Sequence, residues 1–165
     1  MKFHHLFSAI VLVGLLAVGQ PALAQTEYRA RLSPMPTTPQ TVNDITGEGE
    51  VTLSLDGNTL SVKGSFSGMS SAATMAHIHN GPMAQPGPVV FRLQLVTEGG
   101  DNESNGGDES NENIGNGNIS AELELNAEQL AALHANELYV QIHSANNPPG
   151  ELRGWIFLLS HFENL

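Results

Sequence analysis

Val51, Leu53 and Leu55 alternate with Thr52 and Ser54, the chain turns at Asp56-Gly57-Asn58, and Leu60, Val62, Gly64 and Phe66 resume the alternation. A period of two is the side-chain repeat of a strand half-buried on one face, and a Gly- and Asn-bearing turn between two such runs reads as a β-hairpin. Short runs of the same kind recur over 73–79, 88–96, 119–125, 137–143 and 152–159, broken by Gly, Asn, Asp and Pro. Seven or eight short strands predict an all-β Greek-key sandwich or barrel. Only 127–135 has helical character, with Asn126 as its N-cap and Glu128 and Gln129 in the first turn.

The first 24 residues read differently. Lys2 precedes an uncharged apolar run from Leu6 to Gly19, Gln20-Pro21 breaks it, and Ala22-Leu23-Ala24 supplies small residues at the spacing a signal peptidase accepts. The run is too short for a comfortable bilayer span, so we expect a signal peptide over 1–24, cleavage before Gln25, and a periplasmic or extracellular mature protein without a membrane span. That mature protein would be 141 of the 165 residues, the size of one domain. Residues 25–46, with three prolines, are expected to be a flexible segment with a candidate edge strand over 28–32. The β domain is expected over 47–160, with 161–165 as a tail.

The whole chain carries a net charge of −11, and without Lys2 five basic residues face 17 acidic ones. Such a balance argues against nucleic acid and anionic membranes as partners and favours cations. There is no cysteine. Disulfides, thiolate metal sites, a cysteine nucleophile and a lipidated cysteine are all excluded, which leaves His, carboxylate or Met as metal ligands. The stretch 97–118 is almost wholly Gly, Asn, Asp, Glu and Ser, and is expected to be a disordered acidic insertion loop. Its Asp101, Glu103, Asp108, Glu109 and Glu112 offer oxygen ligands for calcium, but they match no EF-hand loop.

His77-Ile78-His79 is the most informative cluster. Residues two apart on a strand share a face about 7 Å apart, so both imidazoles project one way and Ile78 the other. Met75 belongs to the same face. In 137–143, Leu138, Val140 and Ile142 form an aliphatic face, which leaves Tyr139, Gln141 and His143 opposite. Ile78 and Ala76 mark the buried side, which puts the histidines outside the main core. If the two strands lie close, His77, His79 and His143 make a three-nitrogen site that suits copper first, zinc next and calcium least. Met75 and Met83 offer a soft sulfur that favours copper, and Met75, His134 and Arg153 are accessory candidates. His134 also sits where a helix dipole favours it. Glu151 and Arg153 follow the Pro149-Gly150 turn, share a face and are placed to pair with each other, or Arg153 guides an anion toward the histidines. Trp155, on the Arg153 face, is assigned to packing. No serine-hydrolase elbow, phosphate loop, dinucleotide fingerprint or His-Glu-x-x-His motif is present.

Ala76-His77-Ile78-His79-Asn80-Gly81 with Gly87-Pro88-Val89-Val90-Phe91, and then 138–144 with Pro149-Gly150-Glu151-Leu152-Arg153-Gly154, resemble a CHRD (chordin-type) domain over about 50–157. Members similar to this chain are single exported bacterial domains. A more distant similarity is to the copper, zinc superoxide dismutase barrel, and it implies copper ligation by His77, His79 and His143 with Arg153 as the guide for superoxide. The chain lacks an equivalent of that barrel's metal-bridging histidine, a zinc-site cluster and a cysteine pair. The readings are therefore an exported metal-binding domain with copper preferred, an extracellular adhesion or protein-interaction module without a metal role, and a copper-only dismutase-like enzyme.

Overall fold

A computed structural model of the protein describes residues 25–97 and 115–162. The strands are β1 (Thr26–Pro34), β2 (Glu48–Asp56), β3 (Thr59–Ser67), β4 (Ala73–Asn80), β5 (Val89–Thr97), β6 (Gly117–Glu124), β7 (Leu138–Ser144), β8 (Leu152–Trp155) and β9 (Phe157–Leu158), with helix α1 (Ala127–His134) between β6 and β7. Eight antiparallel strands close into a barrel in the order β1-β2-β3-β6-β5-β4-β7-β8, with β8 returning to β1. The ninth, β9, pairs with β1 outside the ring. β4, β5 and β6 are neighbours in turn, and β3 and β7 flank them on either side, which is Greek-key connectivity. Closure removes the open edges that an eight-stranded sheet would otherwise expose.

The interior follows the period-two pattern. Leu53, Val62, Ile78, Val140, Ile142 and Leu152 are at most 1% exposed and belong to one core cluster. Each such side chain stabilises the fold by roughly 1.5–3 kcal/mol through burial. Helix α1 joins the same core through Ala132 and Leu133. Asn126 caps it as expected: its side chain accepts from the Gln129 N–H while the Gln129 side chain accepts from the Asn126 N–H.

Two expectations change. The candidate edge strand within 25–46 is longer than expected and is not at an edge. Thr26–Pro34 lies between β2 and β8 and closes the barrel, with Tyr28, Ala30 and Leu32 buried in the core. Pro34 at its end and Pro36 and Pro39 beyond it gave that region its loop-like composition, but Tyr28, Ala30 and Leu32 already carry the strand period. The expected strand 152–159 is split at Ile156, whose N–H bonds to the Leu138 carbonyl, so β8 joins β7 to the end of β1 within the ring and β9 pairs with β1 outside it. Phe162, in the expected tail, packs 6.3 Å from Phe157 and 5.2 Å from the Arg29 guanidinium. The expected signal peptide at 1–24, the end of the tail, and residues 98–114 of the acidic stretch with its calcium candidates lie outside the described residues. Thr97 and Gly117, at the two ends of that stretch, pair directly as the base of the β5–β6 hairpin.

Candidate metal centre

β4 lies between β5 and β7, and β8 follows β7. Residues directly opposite on neighbouring strands share a face, so the outer face of these four strands carries rows of side chains. One row runs Arg92, His77, Gln141, Arg153. The next runs Val89, His79, Tyr139, Trp155. Met75 and His143 form the third. Ala76 and Ile78 point into the core, so the three histidines stand outside it, as the alternation requires.

Outside the core does not mean exposed. His77, His79 and His143 are 6%, 8% and 8% exposed, because the loops after β4 and β7 fold over them. One ring nitrogen from each lies within 4.8 Å of the others. Nδ1 of His77 is 3.3 Å from Nε2 of His143. His79 uses Nδ1 to reach the Gly87 carbonyl at 2.9 Å, and His143 uses Nδ1 to reach the Pro148 carbonyl at 2.7 Å. A carbonyl accepts only, so both rings hold their proton on Nδ1 and turn an Nε2 lone pair toward the cluster. Nε2 of His79 is buried and has no partner, a cost of about 1–3 kcal/mol that a ligand at that nitrogen would remove.

Electrostatics favour the neutral rings that ligation needs. Burial pushes the His77 pKa down, and His143, His79 and Arg92 push it further in the same direction. Burial also lowers that of His79, opposed by its bond to the Gly87 carbonyl and assisted by His143 and Arg153. Three imidazole nitrogens with no carboxylate among them suit copper or zinc far better than calcium or magnesium.

The accessory candidates separate. Met75 stands opposite His143 in register but is 40% exposed. His134 takes no part in the cluster: its Nδ1 meets the Tyr28 hydroxyl at 2.9 Å, at the far end of α1. Arg153 is on the histidine face, yet it does not pair with Glu151. Its Nε and Nη2 donate to Oε1 of Gln141 at 3.0 and 2.8 Å, and its guanidinium lies 4.8 Å from the Tyr139 ring centre. Glu151, fully buried, accepts instead from the Thr46 and Ser70 N–H groups, the Ser70 and Ser144 hydroxyls and the Asn147 amide. Alternation placed Glu151 and Arg153 on one face, but Glu151 lies just before β8 and is not bound by its period. Trp155 packs as expected, 5.1 Å from Tyr139, and donates Nε1–H to the Gly81 carbonyl.

Several contributors were not singled out by the sequence. Tyr139 stacks on His79 at 4.9 Å with the rings 10° apart and accepts the Gly87 N–H, so it steadies both the ring and its anchoring loop. Gln141 fastens Arg153 and donates to the Pro149 carbonyl. Arg92 stands opposite His77; its place between Phe91 and Leu93 was readable from the alternation alone.

A model of the CHRD domain family matches residues 28–156. No curated protein and no solved structure matches the chain.

Proposed function

The chain belongs to the CHRD domain family, and on that premise we propose that it is an exported domain that binds a single transition-metal ion, copper in preference to zinc, through His77, His79 and His143. The observation that carries this reading is the buried, unpartnered Nε2 of His79 within a cluster whose ring nitrogens lie within 4.8 Å of one another. Hydrogen bonds from Nδ1 of His79 and His143 to backbone carbonyls are the outer support that metal-bound histidines characteristically have. Copper is preferred over zinc because divalent copper binds nitrogen sites more tightly, and the neighbouring thioether of Met75 suits the monovalent ion. Export rests on the pattern of residues 1–24 and accords with a cysteine-free chain that meets its metal outside a thiol-rich compartment.

Metal analysis of protein taken from the native exported fraction, joined to calorimetric titration of the metal-free protein with Cu(II) and Zn(II), tests this. One equivalent of copper, with nitrogen hyperfine structure in the paramagnetic spectrum, is expected. A His77→Ala/His79→Ala double variant that binds copper as well as the parent would overturn the reading.

A further inference from the structure

Two of the six basic residues in this acidic chain flank the three histidines. Arg92 and Arg153 stand at opposite ends of one cross-strand row, with His77 and Gln141 between them. Cations beside a cation site oppose its occupation unless something negative sits with them. Arg153 sharpens the point. It is 7% exposed, yet its partners are all neutral: Oε1 of Gln141, and the faces of Tyr139 and Trp155 at 4.8 and 5.9 Å. A buried guanidinium without a counter-charge is unfavourable, and the nearest carboxylate along the chain, Glu151, is committed to Ser, Thr and Asn donors. Its bonds to Gln141 use two of its five N–H donors. Gln141, held in turn by the Pro149 carbonyl, keeps the guanidinium leaning toward β7 and the histidines. Among the described residues Arg92 forms no ion pair either, and it is exposed.

We propose that Arg92 and Arg153 form a binding site for a small oxyanion of the carboxylate type on the face that carries His77, His79 and His143. Arg153 is its fixed, desolvated half, and Arg92, exposed on β5 opposite His77, is the half that meets the ligand from the solvent side. A planar carboxylate matches the guanidinium fork, and its charge supplies the compensation that Gln141 cannot. The anion then lies beside the cation that the histidines hold, and each favours the other. This inference deepens the metal-binding reading by naming what the same face takes besides a cation.

The test uses the full metal-free protein and sodium acetate as the probe, at constant ionic strength, followed by the arginine Nε–H and Trp155 Nε1–H resonances in 1H–15N spectra. A saturable shift of the Arg153 signal is expected, and Arg92→Gln, at an exposed position, should weaken acetate binding about tenfold without changing the fold. An unsaturating drift, or an identical isotherm for Arg92→Gln, overturns the proposal. Copper titration of the same samples separates the two readings. Copper bound by the parent with no saturable acetate response overturns the anion site alone, whereas saturable acetate binding without copper binding supports it and overturns the metal reading.

Discussion

Nδ1 of His77 lies 3.3 Å from Nε2 of His143, although 66 residues separate them. They are not register partners: Gln141 stands opposite His77, and Met75 stands opposite His143. The two rings meet on the diagonal of the β4–β7 pair, a spacing that aromatic side chains span. The diagonal matters because it brings His143 toward both histidines of β4, with ring centres 5.2 Å from His77 and 6.2 Å from His79. Two loops then fix the outer rings through carbonyls of Gly87 and Pro148.

The ligand assignment predicts a graded panel. Replacing His77, His79 or His143 singly with Ala should weaken copper binding by about 100-fold or more, since each removes one nitrogen of three. His134→Ala should leave affinity unchanged and instead cost about 1 kcal/mol through the lost bond to Tyr28. Calorimetry paired with thermal melts checks both arms. A His134→Ala effect on copper equal to that of His143→Ala would refute the assignment.

Glu151 predicts a pH dependence of stability. Burial raises its pKa, but hydrogen bonds from the Ser144 hydroxyl, the Ser70 and Thr46 N–H groups and the Ser70 hydroxyl outweigh it and hold the carboxyl below its ordinary value of 4.5. A group whose pKa is lower folded than unfolded stabilises the protein fully above its unfolded value and loses that contribution as pH falls through the folded one. Melting temperature should therefore drop below about pH 4.5 more steeply in the parent than in Glu151→Gln. At neutral pH that variant should be less stable by roughly 2–4 kcal/mol, because an amide nitrogen would face donors. Parallel pH profiles for the two proteins would contradict the account.

How much of this was legible in the sequence follows from what period two encodes. It encodes faces, so Ala76 and Ile78 inward with His77 and His79 outward, and Val140 and Ile142 inward with His143 outward, were readable before any coordinates. It does not encode which strands become neighbours. That β4 and β7 pair, with β5 and β6 on the far side, is set by the closure of the barrel. Nor does it encode how loops cover a face, and so it could not show that polar outward residues would be buried. Glu151 illustrates the limit: as a residue of the turn before β8 it answers to backbone N–H groups from distant segments rather than to Arg153.

Tyr139 offers a test of how the site is held. Its ring stacks on His79, and its hydroxyl accepts the Gly87 N–H at 3.0 Å. Tyr139→Phe keeps the stack and leaves that half-buried donor unmatched, so stability should fall by about 1–2 kcal/mol. Copper affinity should fall less than tenfold, since His79 retains its ring neighbour. Chemical denaturation and calorimetry on one preparation would show the split, and a loss of copper affinity as large as that of His79→Ala would mean that the hydroxyl itself holds the ion.

Gly87 is where backbone and site meet. A Cβ there would lie 1.7 Å from the Asn80 carbonyl oxygen and 3.0 Å from the Gly81 Cα, and the obstructing atoms are backbone with no side chain to swing aside. Gly87→Ala must therefore displace the loop, and the carbonyl that holds His79 at 2.9 Å moves with it. Overpacking of this kind typically costs about 1–3 kcal/mol. Loss of the outer hydrogen bond should lower copper affinity by about 10- to 100-fold. Gly57→Ala is the matched control: its φ of +60° imposes backbone strain, but nothing lies within 4 Å of the added carbon, and it sits in the β2–β3 turn. It should lower stability while leaving copper affinity intact. Equal losses of copper affinity in the two variants would show that the metal site responds to general destabilisation rather than to the position of the Gly87 carbonyl.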